Sequence, residues 1–253
     1  MKKLFLALLI VSSLAIFATA FIKKNIPVIK GQKGFAVIEL FTSEGCSSCP
    51  SADEALGEIQ NEYKNKNVLV LGFHVDYWDH LGWKDAFSSP EFTERQKYYS
   101  SIFNLSSIYT PQAVINGQYE FVGSDKNKIV DLVEEQLKSR PSKIINLLAS
   151  ESIKGDVDVK FSVNERASSK DQLILLLIER AAVTNVKRGE NNGRTLYHIN
   201  IVRKISSRQV SAGEQIESFN LPSDLSKGNA FIASFLQNKK TGAISGLDSV
   251  EIK

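Results

Sequence analysis

The chain has 253 residues, a formal net charge of +3 and 43% hydrophobic residues. This length suits one large domain or two small ones, and the sequence contains no internal repeat or low-complexity tract. Without Lys2 and Lys3 the formal charge falls from +3 to +1. So small a charge gives no electrostatic argument for nucleic acid binding.

The N-terminal residues have the composition of an export signal. The basic pair Lys2-Lys3 precedes an apolar run at residues 4–17, and Ala18-Thr19-Ala20 supplies a small-residue cleavage site. Residues 1–20 are therefore predicted to be a signal peptide. The alternative is an uncleaved membrane anchor at residues 4–22, an uncharged run just long enough to span a bilayer. Under either interpretation the rest of the chain is periplasmic or secreted, where disulfide chemistry can run in the oxidising direction.

The first half of the chain alternates between short apolar runs and amphipathic segments. This pattern predicts strands and helices in the order β-α-β-α-β-β-α. Asn116-Gly117 lies between two apolar runs and is a strong hairpin signal. The predicted elements are a strand at 35–41, a helix at 47–63, a strand at 68–75, a helix at about 90–103, strands at 109–115 and 119–122, and a helix at 126–139.

Both cysteines of the chain lie in one motif, Cys46-Ser47-Ser48-Cys49, shortly after the first predicted strand. Residues three apart on a helix share a face, so the two sulfurs can form a disulfide or separate as thiols with little backbone movement. A bridge that closes so short a loop stabilises a fold by less than roughly 2 kcal/mol. The motif therefore predicts a redox centre. The alternatives are an inert structural disulfide and half of a metal site, and a full zinc site needs about four ligands.

The order of these elements, with Cys-x-x-Cys at the start of the first helix and Thr-Pro before the hairpin, resembles the thioredoxin fold. Residues 39–50, 74–85 and 109–113 more closely resemble a family of secreted thioredoxin-like proteins of unassigned function in Gram-negative bacteria. The resemblance covers about residues 35–123. It implies a thioredoxin-like α/β domain at residues 26–141 but no substrate, and we expect no cofactor.

The resemblance implies roles for both cysteines and for a proline. Cys46 begins the helix, where unpaired N–H groups favour a thiolate, so it is expected to be the more accessible thiol and the attacking nucleophile. Cys49, one turn further, is expected to resolve the mixed disulfide. Thr110-Pro111 is expected to have a cis peptide bond and to bind substrate chain beside the cysteines. From the sequence alone, Pro111 is also compatible with a trans proline at the start of an edge strand.

Two further side chains are candidates for the site. Glu39 lies within the first apolar strand, and thioredoxins place a buried acid below their cysteines for proton transfer. Because Glu39 is one residue further from the cysteines than in that pattern, a structural role on the opposite face or in a pair with a lysine is the alternative. Trp78 belongs to an aromatic-rich loop at residues 76–90. This loop forms either one wall of a groove for an unfolded or peptide-like partner or a cover over the end of the sheet.

From about residue 144 the pattern changes to short strands with turn signals and no intervening helices, which is typical of a β-sandwich. We therefore predict an all-β sandwich-like domain at residues 144–253, separated from the first domain by a boundary at residues 140–143. Residues 190–194 are interpreted as a polar hairpin tip. The predicted strands lie at 156–163, 172–178, 194–205, 229–236 and 250–252.

The sequence thus predicts an exported thiol–disulfide oxidoreductase that acts through Cys46 on thiols or disulfides of exported proteins or peptides, together with a redox partner protein. Membrane contact is expected only if the N-terminal segment stays attached. The alternative is a non-catalytic binding protein of the cell envelope, in which the cysteine pair holds a metal such as copper(I) or serves structurally. The initiator is the only methionine, which makes such a copper site sparse.

Overall fold

The structure is a computed structural model that describes residues 34–152, 155–164, 168–211 and 213–253. The signal peptide and the alternative membrane anchor predicted near the N-terminus lie outside the described residues. Within the described part of the chain, no helix is long and apolar enough to cross a membrane.

The described residues form a mixed α/β fold, as the sequence pattern predicts. All of the α-helices found there lie in the first half of the chain, and strands dominate the second half. In chain order the elements are β1 (Ala36–Thr42), α1 (Pro50–Glu62), β2 (Val68–His74), α2 (Pro90–Phe103), β3 (Gln112–Ile115), β4 (Tyr119–Val122), α3 (Lys126–Gln136), β5 (Ile145–Glu151), β6 (Val157–Val163), β7 (Asp171–Asn185), β8 (Thr195–Gln209), β9 (Gln215–Phe219), β10 (Ala230–Asn238) and β11 (Ile244–Glu251).

A large sheet of eight strands runs through the molecule in the order β11-β10-β7-β8-β2-β1-β3-β4. β1 and β2 are parallel, with Ala36 opposite Val68, and the antiparallel hairpin of β3 and β4 lies beside β1. On the other side of β2, β8 pairs in parallel through Gly72 and Ile201. A second sheet of three strands has the order β5-β6-β9.

The boundary predicted at residues 140–143 does not divide the fold into two separate units. Strands from both halves share the large sheet, and residues 33–253 form one compact unit. β7 and β8 are 15 residues long, longer than predicted, and β8 covers the edge of β2 that the first half leaves open. The three-stranded sheet packs on β7 and β10 through apolar side chains. Sandwich-like packing is therefore present, but one of its two sheets continues into the first half.

Both faces of the large sheet are covered around β1. Ile38 packs with Leu56 of α1 and Ile129 of α3 on one face. Phe41 packs against Tyr99 of α2 on the other face, with the ring centroids 6.1 Å apart. Because successive residues of a strand point to opposite faces, a strand covered on both sides needs a continuous apolar run, and β1 has one except at Glu39.

Glu39 is held in a buried network on the α2 face of the sheet. Arg95 donates to Glu39 through Nε and, at 2.9 Å, through Nη2, and the Tyr99 hydroxyl also donates to this carboxylate. Gln237 of β10 donates to the Tyr99 hydroxyl at 2.8 Å. Burial disfavours the charge on Arg95, but the Glu39 carboxylate outweighs burial and raises the pKa of Arg95. The network therefore neutralises a buried charge and joins the two halves of the chain.

We expect Arg95→Leu to lower the free energy of unfolding by about 3–5 kcal/mol, because it leaves the Glu39 carboxylate buried without its cation. Urea unfolding followed by circular dichroism measures this loss. Lys97→Leu is the matched control on the same helix, since Lys97 pairs with Glu94 in solvent and such pairs stabilise little. Equal losses from the two variants would contradict a structural role for the Glu39 network.

Candidate active site

The cysteine pair forms a disulfide at the entrance to α1. Cys46 and Cys49 are joined with their Cα atoms 5.4 Å apart, and Cys49 is the N-cap residue of the helix. Pro50 then occupies the first helical turn, where a missing N–H leaves no hydrogen bond unmade. The Cys49 carbonyl oxygen accepts from the N–H of Asp53 at 3.1 Å, as the helical pattern requires. The disulfide that the spacing predicts is thus confirmed.

Both cysteine side chains are fully buried in this disulfide form, each with 0% exposure. The expectation that Cys46 is the more accessible thiol concerns the reduced protein and stays a prediction. Only Ser47 and Ser48, between the cysteines, reach solvent. A partner must therefore uncover the disulfide before it can react with either sulfur.

The connection between β7 and β8 covers the cysteine motif. We call residues 186–194 the capping loop. Asn191, fully buried, donates from Nδ2 to the carbonyl oxygens of Glu44 and Cys46, both at 2.9 Å. Glu190 accepts from the Ser47 N–H at 3.0 Å, and hydrogen bonding from Ser47 lowers the pKa of Glu190. The interpretation of residues 190–194 as a mere polar hairpin tip is therefore wrong: this tip docks on the cysteine motif.

Three other predicted site residues, Trp78, Thr110 and Pro111, lie in two loops that one hydrogen bond joins. The Thr110–Pro111 peptide bond is cis. Trp78 donates from Nε1 to the Thr110 hydroxyl at 2.9 Å, and its Cβ lies close to Gly45, where an added Cβ would be only 3.1 Å away. The aromatic loop therefore contacts both the cysteine motif and the cis-proline loop.

Glu39 lies away from this assembly. Its side chain lies on the same side of β1 as those of Val37 and Phe41 and faces α2. The helix that follows the cysteines, α1, packs on the other face of the sheet. Both carboxylate oxygens of Glu39 are engaged in the network with Arg95 and Tyr99. Of the two roles that the sequence left open for Glu39, this geometry favours the structural one.

A buried ionisable cluster, which the sequence pattern does not reveal, lies behind the cysteine motif. We use this name for Glu44, Asp53, His74, Asp85 and His198. Asp85 accepts from the backbone N–H of Glu44 at 2.8 Å and lies 2.7 Å from Nδ1 of His74. The rings of His74 and His198 meet edge to face, with centroids 4.8 Å apart. His80, close to His74 in the sequence, is exposed, and no local sequence pattern brings His198 to the first half of the chain.

Burial and pairing shift the pKa values within this cluster. Burial disfavours the charged form of His74, but Asp85 outweighs burial and raises the His74 pKa. Burial likewise opposes ionisation of Asp85, but His74 outweighs it and lowers the Asp85 pKa. Asp53 differs because burial dominates and raises its pKa. The opposite shifts of His74 and Asp85 favour an ion pair between them, and burial favours the protonated form of Asp53 relative to an exposed aspartate.

The described residues contain no group of three or more histidine, cysteine or acidic side chains that could hold a metal ion. The Glu44 carboxylate of the buried ionisable cluster accepts from Nε1 of Trp83 at 2.7 Å, which fixes the orientation of that side chain.

Comparison with known proteins identifies a family but no activity. Residues 37–237 match the family described as protein of unknown function (DUF1223), and the chain belongs to that family. A crystal structure of an Agrobacterium tumefaciens protein, determined by a structural genomics consortium, is similar with 27% identity and a TM-score of 0.62. The match covers 87% of this chain and 96% of that one. No curated protein matches.

We expect Asn191→Ala to speed reduction of the disulfide by a phosphine reductant about 30-fold, because the two hydrogen bonds that it removes each stabilise the closed loop by about 1 kcal/mol. Timed alkylation of the released thiols measures the rate. Asn192→Ala is the matched control, since Asn192 is the exposed neighbour in the same loop. If both folded variants are reduced at the rate of the wild type, the loop does not control access.

The ion pair of His74 and Asp85 predicts a pH dependence of stability. Since its pKa is raised on folding, His74 stabilises the fold fully below its unfolded pKa of about 6.5, and this contribution is lost as the pH rises through the folded pKa. The difference in unfolding free energy between the wild type and His74→Gln should therefore shrink as the pH rises from about 6 to about 9. His80→Gln should show no such trend. A difference that grows with pH would contradict the pairing.

Proposed function

We propose that this member of the DUF1223 family is an exported, thioredoxin-like thiol–disulfide oxidoreductase that acts on cysteines of other exported proteins or peptides. The observation that carries the proposal is the Cys46–Cys49 disulfide at the N-terminal end of α1, beside a cis Thr110–Pro111 bond and a buried ionisable cluster. An inert crosslink between residues three apart contributes little stability and has no need of such surroundings.

The arrangement of the first half supports the thioredoxin-like part of the proposal. β1 leads into the cysteine motif and α1, and β2 returns parallel to β1. The hairpin of β3 and β4 then follows the cis proline, and α3 closes the unit. Trp78 and Thr110 beside the motif are the side chains that we assign to holding the substrate segment, because their hydrogen bond links the two loops that border the cysteines.

The proposed reaction exchanges one disulfide for another. A substrate thiolate attacks Sγ of Cys46, the Cys46–Cys49 bond breaks, and Cys49 leaves as a thiolate. A second substrate thiolate then attacks the substrate sulfur of the mixed disulfide and releases Cys46. Two electrons pass from the substrate dithiol to the protein, the substrate becomes a disulfide, and the reverse sequence oxidises the protein through a partner disulfide.

The direction of electron flow in the cell follows from the reduction potential of the Cys46–Cys49 couple. A potential near that of thioredoxin indicates a reductant, and a much higher potential indicates an oxidant. Equilibration with glutathione at a series of ratios, followed by alkylation, measures the couple. We place the reaction in the periplasm or outside the cell, where a disulfide persists.

We expect Cys49→Ser to trap mixed disulfides on Cys46, because the free Cys46 thiolate still attacks a partner disulfide but the variant lacks the Cys49 thiol that resolves the product. Higher-mass adducts that disappear on reduction should accumulate in cells and be detected by non-reducing electrophoresis. Cys46→Ser is the matched control and should give far fewer adducts. The double variant should give none and remain folded, since so short a crosslink stabilises little.

Equal adduct levels from the two single variants would contradict the assignment of Cys46 as nucleophile. Absence of adducts from both, combined with tight retention of copper(I) by the reduced wild type, would instead support a metal-binding envelope protein. In that case loss of either cysteine would weaken metal binding to a similar extent.

A further inference from the structure

Two buried carboxyl groups flank the cysteine motif in sequence. Glu44 lies two residues before Cys46 and is 0% exposed. Asp53 lies four residues after Cys49, one helical turn along α1, and its N–H bonds the Cys49 carbonyl oxygen. The cysteine motif therefore lies between two carboxyl groups along the chain, one in the loop before it and one in the first turn of the helix after it.

The imidazole of His198, on β8, bridges these two acids. Its Nε2 lies 3.3 Å from Oε1 of Glu44, and its Nδ1 lies 3.9 Å from Oδ2 of Asp53. The side chain is only 2% exposed. One ring nitrogen thus faces each acid, which is the geometry in which an imidazole can accept a proton on one side and release one on the other.

The polar atoms of this bridge are not fixed by other hydrogen bonds. Both ring nitrogens of His198 and Oε1 of Glu44 are buried without a well-aligned hydrogen-bond partner in this structure. A buried polar atom without a partner is destabilising by about 1–3 kcal/mol, so three such atoms in one side-chain pair require an explanation. Small rotations of the ring toward either acid would form the missing bonds one at a time.

One end of the bridge reaches solvent. A groove of about 350 Å³ lies between the start of α1 and the start of β8, lined in part by Ser51, Asp53, Arg194 and Tyr197. The Asp53 side chain is 12% exposed, and Thr42 donates to the same Oδ2 atom that faces His198. On the other side the ring of Phe87 covers His198, with centroids 5.7 Å apart. The groove is therefore the side from which protons reach the cluster through Asp53.

We infer that His198 relays protons between this groove and the buried cysteine pair, with Asp53 as the outer group and Glu44 as the inner group. The inference rests on the proposed oxidoreductase function and assigns residues of the second half of the chain to it. His198 acts through the two acids and is a positioning residue for proton transfer rather than a group that touches substrate.

The relay accounts for the protons of the exchange reaction. When a substrate thiolate attacks Cys46, the Cys49 sulfur leaves with the electron pair of the broken bond inside a closed interior. A proton from the relay neutralises that thiolate, and Asp53 is reprotonated from the groove. A second proton neutralises Cys46 when it is released. Two electrons and two protons have then entered the disulfide, and oxidation by a partner disulfide returns both protons along the same route.

The charged groups that face His198 come from four parts of the fold. They are Glu44 in the cysteine loop, Asp53 on α1, His74 on β2 and Asp85 in the aromatic loop. Asp85 pairs with Nδ1 of His74, so we assign it a fixed charge and no part in the transfer of protons. Burial raises the Asp53 pKa, which keeps a proton on the outer group of the relay at a higher pH than an exposed aspartate would.

The test measures the rate at which dithiothreitol reduces the full-length protein between about pH 5 and 9. The fluorescence of Trp78 and Trp83 reports the reduction, and the measurement is made in normal and in heavy water. We expect His198→Gln to lower the rate on the order of 100-fold and to leave only the rise with pH that the thiolate fraction of dithiothreitol itself produces, because glutamine cannot relay a proton. The solvent isotope effect should be smaller in this variant than in the wild type. His80→Gln, the exposed histidine, is the matched control and should behave as the wild type. Circular dichroism checks the folding of each variant.

The outcomes separate the relay from the proposed function. If the wild type is readily reduced and His198→Gln keeps its rate and pH profile, the relay is wrong and the oxidoreductase proposal stands. If the wild type does not exchange thiols with dithiothreitol at any pH, both are wrong. If His198→Gln does not fold, Asp53→Asn removes the outer group instead and should show the pH profile of the dithiothreitol thiolate alone. A wild-type profile in that variant overturns the relay.

Discussion

The parallel pairing of β8 with β2 is the constraint on which the rest of the structure depends. It is short, since Gly72 and Ile201 are the paired residues, and a side chain reinforces it. Asn200, with a φ of 44°, donates from Nδ2 to the Val70 carbonyl oxygen at 3.0 Å and to Gln60 of α1 at 3.1 Å. β8 is thereby fixed both to the neighbouring strand and to the helix that follows the cysteines.

That pairing makes the candidate site a product of both halves of the chain. The first half supplies the cysteines, the cis proline and Trp78. The second half supplies Asn191 and Glu190 through the capping loop and His198 through β8 itself. On the opposite face of the sheet, Gln237 joins the halves again through Tyr99 and Arg95. Residues 26–141 alone would therefore expose the cysteine motif and leave the acids beside it without their histidine.

Local sequence signals predicted the parts of the site that are built locally. Apolar β1, the Cys-x-x-Cys spacing and the Asn116-Gly117 hairpin each depend on residues close in sequence, and all are where the pattern places them. Glu39 shows where such reasoning stops. Its burial was predictable. The face of the sheet to which it points was not, because only the packed structure shows which face of β1 is covered by α1 and which by α2.

The capping loop and His198 could not be predicted, because their partners are distant in sequence. Asn191 and the Cys46 carbonyl oxygen that it binds are separated by 145 residues. A run of glycine, asparagine and glutamate satisfies its polar groups equally well in water or on another backbone, so its composition does not distinguish a solvated tip from a docked one. The same limit applies to the domain boundary, since a strand that pairs with a distant strand has the same apolar pattern as one that pairs within its own domain.

The bonds of the capping loop also determine how a buried disulfide can react. Asn191 binds carbonyl oxygens and not sulfur, so its two hydrogen bonds are available in both the disulfide and the dithiol forms. At about 0.5–1.5 kcal/mol each, they favour the closed loop by roughly 5- to 150-fold. An equilibrium of that size between closed and open loop slows access to the disulfide without preventing it. A partner segment that donates its own hydrogen bonds to the same two carbonyl oxygens would replace the loop at little net loss of free energy. In the proposed reaction the loop therefore slows exchange with small thiols by no more than that factor and favours partners that bind the backbone of the cysteine motif.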